Sequence, residues 1–148
     1  VIQPDEIRDR LLRLEAGLER LGTELPGLIA DLERELEVNA SLNAPLRARA
    51  LDIVRNRPAP SSLADKLATE GQDDEVFEGN LRVCRLRQML DWMDEPRPAI
   101  EGDGDDALQY LATLEGYVTL QRNRAMEARA ALRERSRWLA DAFARLAS

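Results

Sequence analysis

Apolar residues recur near the start of the chain in alternating steps of four and three: Ile7, Leu11, Leu14, Leu18, Leu21, Leu25, Leu28 and Leu32. An α-helix keeps such a series on one narrow face, the seam of a coiled coil. Pro4 suits a first helical turn, and Asp5 and Glu6 complement the positive end of the helix dipole. The stripe passes through Gly22 and Pro26. A proline there forfeits the bond to the Gly22 carbonyl and crowds it. The spacing therefore predicts a helix over about 4–39, kinked near 22–26 or broken there into a hairpin with Thr23 as N-cap.

Asn39 to Ala44 reads as a short turn, followed by a helix over about 44–56 with Leu46, Ala50, Ile53 and Val54 inward. Pro58-Ala59-Pro60-Ser61-Ser62 stops it, and Ser62 with Asp65 resembles a capping box for a short helix ending near Gly71. Over 73–94, Val76, Phe77, Leu81, Val83, Cys84, Leu86, Met89, Leu90, Trp92 and Met93 cover more than half a helix circumference. A stripe that wide predicts a central helix with Cys84 and Trp92 in the core. Residues 95–106 combine proline, glycine and acids in an evident loop.

From about 106 to 147 nothing breaks a helix. Its stripe runs through Leu111, Leu114, Val118, Gln121, Ala125, Ala128, Leu132, Arg135, Leu139, Ala142 and Leu146. The whole predicts one domain over 1–148: an all-α, elongated helical bundle with two long coiled-coil-like helices and three shorter ones between them. At about 1.5 Å per residue the long helices reach roughly 54 and 63 Å. Antiparallel pairing would bring both termini to one end. Seams that three short helices cannot cover would leave Leu25, Leu28, Leu132 and Leu139 partly open, favouring a homodimer.

Charge sharpens the pairing. The chain carries 28 acidic and 21 basic groups, net −7. The first stripe (1–39) balances at −5 and the last segment (107–148) at +3, so the long helices complement each other. The basic stretch Arg122, Arg124, Arg129, Arg133, Arg135 and Arg137, followed by Trp138, is read chiefly as the complement of the first helix. Arg122, Arg129, Arg133 and Arg137, with the four seam leucines above, are also the candidate interaction surface. Net negative charge argues against nucleic acid as a partner. No apolar run is long enough to span a membrane, and membrane contact is not indicated. Lys66 is the only lysine, a bias that GC-rich bacterial coding produces.

Catalytic chemistry has little to stand on. The chain has no histidine, which removes the commonest general base and metal ligand. Glu101, Asp103, Asp105 and Asp106 alternate like a calcium loop, but position six is Asp106 and position twelve Ala112, where glycine and glutamate belong. No catalytic residue, metal or cofactor is therefore assigned. The sequence points to a non-catalytic protein–protein interaction module, a scaffold, adaptor or secretion-chaperone-like domain. A helical sensor domain cut from a larger membrane protein is the alternative, since the chain opens on Val1 rather than Met. A cytoplasmic location is favoured over a periplasmic one.

Overall fold

The computed structural model describes residues 3–56, 62–69, 74–96 and 104–147. Four helices hold nearly all of them: α1 Pro4–Arg55, α2 Ser62–Thr69, α3 Asp74–Asp94 and α4 Asp105–Ala147. No strand occurs among the described residues. The all-α class and the two long helices packed together are as the stripes predict. Residues 57–61, 70–73 and 97–103, which include Pro58, Gly71 and most of the acidic loop, lie outside the described residues.

α1 differs from expectation. It is one helix of 52 residues, with no turn at Asn39–Ala44. Every seventh residue, Leu11, Leu18, Leu25, Leu32, Asn39 and Leu46, is buried. The period thus runs straight through the apparent break. Leu46 and Ala50 share a fully buried apolar cluster with Leu139 and Ala142. Burying a leucine is worth about 1.5–3 kcal/mol, and several such contacts offset the roughly 3 kcal/mol that Pro45 costs inside a helix. Pro26 also lies inside α1, on its exposed side. Thr23 caps nothing; its hydroxyl donates to the Glu19 carbonyl at 2.9 Å, as a mid-helix threonine does. Only two shorter helices, not three, separate α1 from α4.

The chain divides into two compact units. Unit 1 is Val1–Ala30 with Arg82–Met126, and unit 2 is Asp31–Leu81 with Glu127–Ser148. In unit 1, Leu18, Leu21, Leu25 and Leu28 of α1, Leu86 and Met89 of α3, and Leu111, Val118 and Ala125 of α4 are buried. A Cβ at Gly22 would lie 3.2 Å from Met93 Cε, so the missing side chain admits α3. In unit 2, Leu32, Leu46 and Ala50 of α1, Ala64 and Leu67 of α2, and Leu132, Leu139 and Ala142 of α4 are buried. Here Gly79 is the close approach. A Cβ on it would come within 2.8 Å of Leu132 and 3.1 Å of Leu36.

The direction of pairing also corrects the sequence reading. In unit 1 Arg122 binds Glu24, and the Glu115 carboxylate lies 3.6 Å from the place of a Cβ on Gly17. In unit 2 Arg129 binds Asp31 and Arg133 binds Glu35. Each ion pair joins residues 98 apart. A constant difference means that α1 and α4 run parallel in each unit; antiparallel helices would hold the sum of the two numbers constant. α3 supplies the return path. In unit 1 Arg82 reaches Gln121 and Trp92 reaches Tyr117, so α3 runs against α4.

α3 buries one face, not most of its circumference. Arg82, Val83, Leu86 and Met89 point inward. Phe77 is 59% exposed, Trp92 is 44% exposed, and Cys84 is exposed as well. Two neighbours, α1 and α4, cover one side and leave the other bare.

Asn39 is the one polar residue in the buried seven-residue series of α1, fully buried with neither amide atom hydrogen-bonded among the described residues. A buried amide without partners costs about 1–3 kcal/mol. Asn39→Leu should accordingly stabilise the chain by about 1–2 kcal/mol, whereas Leu32→Ala one heptad earlier should cost about 2–5 kcal/mol. Denaturant midpoints check both, and a loss of stability in Asn39→Leu would show that the amide is satisfied.

Candidate interaction surface

α4 places its arginines along the edge that faces α1. In unit 1 Arg122 Nη1 lies 3.2 Å from Glu24 Oε2. In unit 2 Arg129 Nη1 lies 3.0 Å from Asp31 Oδ2, and Arg133 Nε lies 2.7 Å from Glu35 Oε1. Three of the four arginines proposed for an external partner are thus engaged within the chain. Arg137 is exposed. Arg135 stacks on Trp138 with Cζ 4.5 Å from the ring centre, and Lys66 approaches the same ring at 5.5 Å.

The seam leucines are closed. Leu25, Leu132 and Leu139 are fully buried and Leu28 nearly so. The expectation of an open seam fails because each unit supplies a third helix to its long pair. In unit 1 that helix is α3, with Leu86 and Met89. In unit 2 it is α2, with Ala64 and Leu67.

What lies outside the core is aromatic. The chain has two Trp, two Tyr and two Phe, and none belongs to the buried core. Aliphatic side chains fill it alone. Phe77, Trp92, Tyr110 and Phe143 are exposed, while Tyr117 and Trp138 are half-buried. In unit 1 these side chains gather. Trp92 and Tyr117 have ring centres 6.1 Å apart, tilted by 32°. Tyr110, Tyr117 and Leu120 follow on α4 at steps of seven and three, which share one helix face. Tyr110 is 46% exposed and Leu120 45%. The face thus carries a Trp–Tyr pair flanked by a second tyrosine and a leucine.

Sequence reasoning missed this face because it assigned Trp92 to the core. A signal was present: Tyr110, Tyr117 and Leu120 all fall off the buried stripe of α4 by the same rotation.

Beneath the face, Arg82 donates to Gln121 Oε1 at 2.7 Å, with both residues buried. A charge-assisted hydrogen bond of this kind fixes α3 on α4, and so fixes Trp92 beside Tyr117. Among the described residues no group of three or more His, Cys, Asp or Glu is placed to hold a metal ion. No helix among them is long and apolar enough to cross a membrane. Asp103 lies outside the described residues, and Asp105 opens α4.

No protein-family model matches the chain, and searches of curated proteins and of solved structures found no match either.

The ion pairs differ in exposure. Asp31 and Arg129 are 33% and 24% exposed, against 57% and 29% for Glu24 and Arg122. A double-mutant cycle on Asp31–Arg129 should give a coupling of about 0.5–1 kcal/mol, with less for Glu24–Arg122 and both reduced by high salt. A zero coupling at Asp31–Arg129 would show that this contact does not persist in solution.

Proposed function

We propose that this chain is a non-catalytic protein–protein interaction module, binding its partner through the Trp92, Tyr110, Tyr117 and Leu120 face of unit 1. The observation that carries the reading is the export of every aromatic side chain from an otherwise aliphatic core. Aromatic side chains bury more apolar area than most and usually serve the interior. Tyr and Trp are also the residues in which binding energy concentrates at protein interfaces. Isolated apolar side chains on a surface are ordinary, but a contiguous group on one face is the mark of a contact site.

The basic surface first considered is a weaker basis, since Arg122, Arg129 and Arg133 already hold α1 acids. A homodimer through open seams loses its ground with Leu25, Leu28, Leu132 and Leu139 buried. The sensor alternative drew on an antiparallel pair with adjacent termini, and the pairing is parallel.

Site-specific photo-crosslinking tests the reading. A photoreactive amino acid in place of Leu120 should give a discrete adduct with one partner protein. The same group in place of Leu12, which is 57% exposed on α1 without that aromatic setting, should give none. Sedimentation of the purified chain then tells whether the adduct is a second copy. Identical labelling at both positions, or no adduct at Leu120, contradicts the assignment.

A further inference from the structure

We propose that the α1–α4 groove of unit 2, filled by α2, is a helix-docking site occupied in cis, and that its partner is an amphipathic helix carrying the pattern of α2. This site is separate from the aromatic face of unit 1 and does not rest on it. Its walls are Leu46 and Ala50 of α1 and Leu139 and Ala142 of α4, all essentially buried. α2 sets Ala64 and Leu67 into them, with Leu63 and Ala68 partly buried alongside. These positions repeat at steps of three and four, the anchor spacing of a helix lying in a groove.

α2 has eight residues. An isolated helix shorter than about 12–15 residues is marginal in water, so α2 is helical because it is docked. Its register has a second determinant. Lys66, the only lysine of the chain, lies between the two Leu/Ala pairs and holds its ammonium 5.5 Å from the centre of the Trp138 ring. Cation–π attraction of this kind aligns a cationic side chain with the groove edge.

The chemistry of the incoming helix can be read from its cis occupant. It needs two small-and-large apolar pairs four residues apart and a Lys or Arg between them, placed over Trp138. A longer helix offers the same anchors with more intrinsic helicity. The advantage of α2 is the high effective concentration that attachment confers. Displacement is therefore a competition between local concentration and helix length.

The test uses the full chain and a capped peptide in which Ser62–Thr69 is extended at both ends by alanine-based helical turns. Leu67→Ser weakens the hold of α2. The peptide should raise the melting temperature of that variant and bind it at least about tenfold more tightly than wild type, where the cis helix occupies the site. A peptide with both leucines changed to serine should do neither. No binding to a folded Leu67→Ser variant overturns the proposal. Should that variant not fold, hydrogen exchange on wild type decides. α2 amides should exchange through local opening, and excess peptide should accelerate them. Exchange of α2 only together with α1 and α4, or no acceleration by peptide, likewise overturns it.

Discussion

The parallel course of α1 and α4 is the constraint from which the rest of the fold follows. Two helices of one chain can run parallel only if the segment between them carries the chain back, and here α3 makes that return. It begins in unit 2 and continues through unit 1. Its path depends on missing or small side chains at the crossings: Gly22 beneath Met93 in unit 1, and Gly79 beside Leu36 and Leu132 in unit 2. The apolar seams supply most of the stabilisation, since exposed ion pairs contribute only about 0–1 kcal/mol each. The ion pairs do something else. Glu24 and Asp31, and likewise Arg122 and Arg129, are seven residues apart along each helix, so one relative placement satisfies each pair. That is specificity of register and direction, the role flanking charges play in coiled coils.

The composition of the core matches this arrangement. α4 buries Ala125 and Ala128 at its middle, where small side chains allow close approach and leave no room for a ring. Aromatic residues are accordingly displaced outward. Displacement alone would scatter them, yet Trp92 and Tyr117 meet over the buried Arg82–Gln121 hydrogen bond, with Tyr110 and Leu120 on the same side of α4. In unit 2 Trp138 is also off the core, but it stacks between Lys66 and Arg135 and guides α2.

Much of this was legible in the residues. The period of the leucines gave α1 to about residue 39, and the uninterrupted pattern after Asp106 gave α4. Opposite charge at the two ends of the chain foretold their pairing. Asn39, Ser41 and Pro45 concealed the continuity of α1, because each favours a turn locally and only the burial of Leu46 and Ala50 overrides them. Direction was not readable from the stripes, since an apolar seam accepts a partner of either polarity. The matched spacing of Glu24 and Asp31 with Arg122 and Arg129 held that information. The outward face of α3 was misread for a related reason. Phe77, Cys84 and Trp92 are apolar enough to look like core, and which side of a helix is covered depends on neighbours that periodicity does not count.

The parallel register is most directly tested by cysteine crosslinking within unit 1, in a Cys84→Ser background with a short thiol-specific linker. Four double variants place cysteines at positions 17 and 115, 24 and 122, 17 and 122, and 24 and 115. Parallel helices at a separation of 98 residues join 17 to 115 and 24 to 122, leaving the crossed pairs unlinked. Efficient linkage of 17 to 122 and 24 to 115 instead would mean that the helices run antiparallel, and the account of α3 as the return segment would fail with it.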